Sequence, residues 1–395
     1  MIYLVCFFSS ALFLLISEKL RGRNRPVLVY WNQILSRLGL NDFFGLSDKI
    51  SLSWIFAVLF AALGLMIPSI LAGLRDYSIG TDIEVYGNIW FEFAHNFDFF
   101  TYMRMAATSS IGLVYAVLNY IVALVAKDAH VFYFFLMLIE LSLVYWAVTR
   151  FRDKISVPFA MLIYYFLFYN ITLNILRQSL ALAIMTAAIS CLARNKNKQF
   201  LVLWMLAVFA HSSALLMIVL LPLKIYSQQR EKRFNTLVLF CVTSVAMVAY
   251  SEILALLINV GILSERYAIY MGDIAAGGRM TRSALFIVIS LLIVVAYPGL
   301  QRYDKGMIFL VNIAMIASAL TLILFFGNNQ IIRIAYYFDL SLLFILPMLN
   351  HMIFFELFGQ RAKWLHIFVL LLLAIYWFIT VVVQRNGETY PYQMM

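Results

Sequence analysis

The chain has 395 residues, 64% hydrophobic and only 12% charged, with a mean hydropathy of +0.92 and a net charge of +10. An ordinary soluble domain is about 25% charged, so a soluble globular enzyme, a disordered chain and a secreted disulfide scaffold are excluded. The apolar runs are continuous rather than alternating, which excludes a transmembrane barrel. The expected fold class is an all-α polytopic integral membrane protein, a single transmembrane domain over residues 1–395 with about 11–13 transmembrane or re-entrant helices.

Apolar segments fall at 2–17, 51–73, 107–126, 130–149, 155–172, 177–193, 199–222, 235–257, 283–299, 307–327, 333–350 and 364–384. The first has no basic residue before it and is followed by Lys19, Arg21, Arg23 and Arg25. A cleavable signal has the opposite polarity, so a retained helix with an external N-terminus is expected. Residues 28–50 mix Trp31, Leu35, Leu38, Leu40, Phe43 and Phe44 with Arg37 and Lys49, which suggests an amphipathic stretch on the cytoplasmic surface. Residues 74–106 read as an outer interfacial segment and 258–282 as an outer loop. Cys6, Cys191 and Cys241 lie inside apolar runs without ligand spacing and read as packing residues; no metal or cofactor is implied.

Basic clusters at 19–25, 150–154, 194–198, 224–233, 302–305 and 361–363 separate the apolar runs. That placement sets membrane orientation and does not indicate nucleic acid; the positive-inside rule puts all six in the cytoplasm. Twelve simple spans cannot do this, because parity fails between residues 75 and 150 and again between 194 and 233. Two non-crossing segments repair it. Residues 107–126, which carry Asn119, are expected to enter and leave on the outer side. Residues 199–222 are expected to fold as a broken pair turning at His211-Ser212-Ser213. Non-helical backbone at depth requires surrounding protein or a wet cavity. His211 is therefore expected to line one outer cavity with Arg177, 34 positions away. Both termini are expected outside.

The outer segments hold nearly all the remaining arginines, namely Arg75, Arg104, Arg177, Arg266, Arg279, Arg282, Arg333 and Arg385, with little lysine. Arginine that topology does not require suggests fork-like binding of phosphate or carboxylate. Around Arg75, Gly80 permits a tight turn, and Thr81-Asp82 resembles the N-cap of an amphipathic helix bearing Tyr86, Trp90 and Phe93. Asp82 is thus either a cap or part of a site. Arg177 and Gln178 open an apolar helix close to Asn170 and Asn174; a cation at that positive end is disfavoured unless an anion visits. Otherwise Arg177 is a snorkelling interfacial residue. His211 is either a packing residue or a cavity group. Arg266, Tyr267 and Arg279, beside Gly277-Gly278, could wrap a phosphate or sugar, and Arg333 and Tyr336 share a helix face. Glu140, Glu252 and Asp339 are costly within a membrane and are either partners of these arginines or acid–base groups. Walker loops, HExxH, GxSxG and Asp-x-Asp motifs do not occur.

Five elements in order carry a resemblance: Gly73-Leu74-Arg75 with Ile79-Gly80-Thr81-Asp82 and Tyr86; Leu176-Arg177-Gln178 with Ala181; Phe209-Ala210-His211-Ser212-Ser213-Ala214; Arg333 with Tyr337-Phe338; and Tyr390-Pro391-Tyr392. They resemble the EpsG-like group of Wzy-type polysaccharide polymerases. The resemblance implies a GT-C-like helical framework in a bacterial inner membrane, with the active site facing outward. It implies an enzyme that joins repeat units carried on undecaprenyl pyrophosphate, moving the growing chain to the non-reducing end of the next unit. A flippase and a chain-length regulator are the implied protein partners. On this reading Asp82, His211 and Arg177 are the catalytic candidates, with Asp82 or His211 as base. Arg75, Thr81, Tyr86, Gln178, Arg266, Tyr267, Arg279, Arg333 and Tyr336 bind substrate. An O-antigen ligase or another polyprenyl-linked sugar transferase would use the same donor chemistry. A flippase is the non-enzyme alternative, although the related halves expected of many transporters are not visible.

Overall fold

A computed structural model describes residues 1–21, 52–109, 111–228, 232–248, 250–261, 279–300, 305–322, 329–357 and 363–395. Where they are described, the twelve apolar segments are mainly helical, and no strand occurs among the described residues. The chain is an all-α polytopic membrane protein. Five described helices are long and apolar enough to cross a bilayer: α1 (Ile2–Arg21), α2 (Ser53–Gly73), α3 (Ala129–Thr149), α4 (Val157–Asn174) and α5 (Leu176–Ala193). A sixth crossing exists if the pair Ile332–Asp339 and Leu342–Leu349 counts as one. Residues 333–350 are therefore not the straight span their composition suggests: the pair bends by 52°. The amphipathic stretch expected over 28–50 lies outside the described residues, as does most of the loop at 258–282.

Helices α1 and α2 pack as a pair through small polar contacts. Ser10 Oγ donates to the Gly64 carbonyl and Ser17 Oγ to the Ala57 carbonyl, both at 2.6 Å. The first bond has a local cause. Pro68 has no N–H, so the carbonyl four residues earlier loses its helical donor, and Ser10 supplies one. In α5 every residue except Arg177 is buried. Its Ala181, Ala183, Ala187 and Ala188 let neighbouring helices come close, and Arg177 is the exception because it opens the helix beside the site described below.

Polar contacts sort to two ends of the bundle. At one end Arg152 pairs with Glu18 at 3.3 Å, and Arg194 pairs with Asp153 at 2.5 Å. Lys224 Nζ donates to Asn197 Oδ1 at 2.8 Å. The clusters at 150–154, 194–198 and 224 thus share an end. At the other end Tyr3 OH donates to the Thr389 carbonyl at 2.7 Å, and Tyr392 OH to the Leu71 carbonyl at 2.7 Å. Arg75 bridges Met394 there. The start of α1 and the 389–395 tail therefore lie together, opposite the basic clusters.

The two segments expected not to cross are both short or broken. Within 107–126 the helix is only α6 (Leu113–Ala123), 11 residues or about 16 Å. Within 199–222, α7 (Asn197–Ala210) ends at His211, whose backbone is extended, and a 3-10 helix runs over Ser212–Val219 into α8 (Leu220–Ser227). The chain folds back on itself there. Trp204 Nε1 reaches the Ala214 carbonyl at 3.0 Å, and the far ends meet at Lys224–Asn197.

Candidate active site

The site is built where the chain leaves α2. Asp76 accepts from Ser78 N at 2.9 Å and Ser78 Oγ at 2.6 Å, which closes a local turn and holds its carboxyl below the usual range. Gly80 then takes φ +97°, and a Cβ there would fall 2.6 Å from the Leu173 carbonyl oxygen. Only glycine lets this turn lie against the end of α4. Thr81 completes the clasp: its N–H and its hydroxyl both donate to Asn174 Oδ1 at 2.7 Å.

This clasp brings Asp82 to the start of α5. The helix that follows Asp82 has no side-chain cap from it, which corrects the N-cap expectation. Its carboxylate instead accepts from the Leu176 N–H, at the first residue of α5. Burial raises the Asp82 carboxyl above its ordinary value, while Arg177 and Arg333 pull it down. The Arg177 guanidinium lies 3.4 Å from the centroid of the Tyr86 ring. The anion required beside a cation at this helix start is thus supplied by the chain itself, and an aromatic face steadies the cation.

His211 reaches the same region from the α7 turn. Its Nδ1 lies 2.7 Å from Ser213 Oγ, which lies 3.0 Å from Tyr337 OH. Tyr337 is hydrogen-bonded in turn to Gln178, whose Nε2 donates to the Arg333 carbonyl at 2.7 Å. Both Arg177 and Arg333 lie within electrostatic range of the imidazole. Beside this cluster opens a cavity of about 380 Å³, lined by Asn170, Asn174, Arg282, Arg333, Tyr336 and Tyr376 among others. Its volume falls within the ordinary range for small-molecule sites.

A model of the EpsG family matches residues 57–394. The chain belongs to the EpsG family. No curated protein and no solved structure matches it. EpsG membership points to a polysaccharide polymerase-type role, glycosyltransferase-like in general, in a multi-pass membrane protein.

Within this EpsG chain the sequence-expected residues divide. Asp82 and His211 each lie within electrostatic range of Arg177 and Arg333, Arg177 stands over Tyr86, and Thr81 positions Asp82, but of these only Arg333 is among the residues lining the cavity. Arg333 and Tyr336 both line the cavity, as their shared helix face implies. Arg75 does not join them. It is 1% exposed, donates from Nη1 to the Leu173 carbonyl at 2.7 Å, and stands over the Tyr133 ring at 4.9 Å. It fastens the 73–76 turn to the end of α4 and presents no surface to a phosphate. Gln178 is likewise buried and its Nε2 donates to the Arg333 carbonyl, which ties the start of α5 to the helix bearing Arg333. One face of the Tyr86 ring carries Arg177. Arg282 forms a buried ion pair with Asp339, the partner role foreseen for that acid, while Glu140 accepts from Ser179 Oγ at 2.5 Å. Arg266 and Tyr267 lie outside the described residues, and Arg279 opens the helix Arg279–Leu300. The cavity wall from Tyr376, Thr380 and Gly387 was not foreseen. Trp377 Nε1 donates to Asn170 Oδ1 at 2.7 Å, a long-range contact with no local sequence signal.

Proposed function

We propose that this protein polymerises lipid-linked oligosaccharide repeat units, transferring a growing glycan from undecaprenyl pyrophosphate to the non-reducing end of the next lipid-linked unit. The observation that carries the reading is Asp82, a partly buried carboxylate within electrostatic range of Arg177 and of Arg333, the second of which lines a cavity. Two guanidinium groups suit a pyrophosphate, because the planar fork matches phosphate oxygens. A carboxylate raised by burial suits proton abstraction near neutral pH. The acceptor hydroxyl oxygen attacks the anomeric carbon and its proton passes to Asp82. The bond from that carbon to the pyrophosphate oxygen breaks, and the lipid pyrophosphate leaves with the electron pair. Arg177 and Arg333 stabilise that developing charge, so no further energy source is needed. On this reading the site faces the outer side of a bacterial cytoplasmic membrane. A flippase and a chain-length regulator would serve the same substrate there.

The test is polymer synthesis by the purified full-length protein in vesicles, supplied with the lipid-linked repeat unit of its host. A ladder of lengths on the lipid is expected, and Asp82→Asn should leave single units. A wild-type protein that forms no glycosidic bond, but moves the lipid across the vesicle, would replace this reading with the flippase alternative.

A further inference from the structure

The hydrogen-bond chain behind His211 has only one consistent direction. Gln178 Nε2 donates to the Arg333 carbonyl, which can only accept, so that atom is the amide nitrogen. Tyr337 OH lies 3.0 Å from Ser213 Oγ, and it is the donor there if Ser213 spends its one proton on His211. Ser213 Oγ gives its proton to His211 Nδ1 at 2.7 Å. The backbone N–H of Ser213 also points at Nδ1, at 3.3 Å, and a backbone N–H can only donate. Both donors meet the same ring nitrogen, so Nδ1 is an acceptor and the neutral ring carries its proton on Nε2.

We propose that His211 is a hydrogen-bond donor, through Nε2–H, to an anionic phosphate oxygen of the substrate, and that proton abstraction belongs to Asp82 alone. The surroundings fit an oxyanion: Arg177 and Arg333 are the charges that bear on the ring. Two cations then lie within electrostatic range of one neutral N–H. A ring with its lone pair committed to Ser213 is oriented to give a hydrogen bond there and not to take a proton. Nothing has to move when charge develops on the leaving oxygen, which is the arrangement that stabilises a transition state. This assignment rests on the polymerase reading for its substrate, but the tautomer does not.

Two measurements separate the two. Nitrogen-15 NMR of the histidine-labelled full-length protein in lipid, with His211→Ala as the difference spectrum, reads the tautomer without any substrate. A neutral Nε2–H signal is expected for His211. A neutral Nδ1–H signal would overturn the proposal and leave the polymerase reading standing. The second measurement is polymer synthesis by His211→Gln and His211→Ala at matched membrane levels. Glutamine can place an amide N–H near the ring Nε2 position but offers no basic nitrogen. Loss of one such donor costs about 10²–10³-fold in rate, expected for His211→Ala, while His211→Gln should recover at least a tenth of wild-type synthesis. Equal loss in both variants would refute the donor role. A substrate that wild type does not polymerise would overturn the polymerase reading alone.

Discussion

Gly112→Ala should stop polymer synthesis without removing the protein from the membrane. Gly112 opens α6 with φ +91°, and a Cβ there would sit 2.0 Å from the carbonyl oxygen of Ala210. Carbon–oxygen contacts do not fall below 3.0 Å, so that carbonyl must retreat by at least an ångström. The obstacle is backbone, and the next residue is His211. A misplacement of about 1 Å at a reacting group can cost roughly 10²-fold, which sets the expected loss in rate. The Gly112 backbone, at φ 91° and ψ 118°, adds about 1–3 kcal/mol for any L side chain. Gly261 separates the two effects. It has φ +79° and nothing within 4 Å of its added Cβ. Gly261→Ala should carry the strain of a positive φ without a clash and keep its chain lengths. The assay is the length ladder of lipid-linked polymer, normalised to protein in the membrane. A wild-type ladder from Gly112→Ala would refute the claim that α6 braces the His211 turn.

Other substitutions sort charge that holds the fold from charge that meets substrate. Arg177→Lys keeps the charge but loses the fork and the planar stack on Tyr86, so its polymer should be nearly as short as that of Arg177→Ala; a normal ladder would contradict the phosphate role. Arg75→Ala leaves the Leu173 carbonyl without its donor and should lower stability by about 1–3 kcal/mol, read as a drop in thermal midpoint in detergent. An unchanged midpoint with lost polymer would restore Arg75 to the site. Asp339→Leu should cost about 3–5 kcal/mol by stranding Arg282, while Arg282→Met with Asp339→Leu should recover most of it. Failure of the double variant to recover would give the pair a role beyond structure. Lys196→Cys should resist labelling from outside intact cells, and labelling there would reverse the assigned sidedness.

Much of the fold follows from charge and hydropathy, because a membrane leaves few alternatives. The basic clusters could share one end only if 199–222 returned to its starting side. The Lys224–Asn197 contact closes that return. Composition could not show how local polar groups are spent. Asp82 reads as a cap because Thr-Asp before an amphipathic run usually is one, yet the Gly80 turn hands its carboxylate to a different helix. Arg75 reads as an outer cation because it follows the end of α2, but the tail returning to Met394 covers it. The 52° bend within 332–349 is invisible in an unbroken apolar run. For Asp82 and Arg75 the deciding partners are far away in sequence: 93 positions separate Thr81 from Asn174, and Met394 lies across the chain from Arg75.

The non-crossing segments explain why the polar cluster can exist in so apolar a chain. A continuous helix satisfies its own backbone and gives a polar side chain no reason to be at depth. A broken one leaves backbone N–H groups that need acceptors. At the α7 turn the Ser213 N–H finds His211 Nδ1, so the break and the imidazole require one another. At the start of α5 the Leu176 N–H finds Asp82. The break that topology demands at the α7 turn therefore fixes the imidazole, and the separate break between α4 and α5 fixes the carboxylate, each through a backbone donor. Arg177, one residue after Leu176, and Arg333, whose carbonyl holds Gln178, are fixed to those breaks by the same contacts. Replacing His211 with a residue that cannot accept from Ser213 N–H should loosen the turn as well as remove the ring. For that reason glutamine and alanine must be compared at equal folded protein before any loss is assigned to the missing donor.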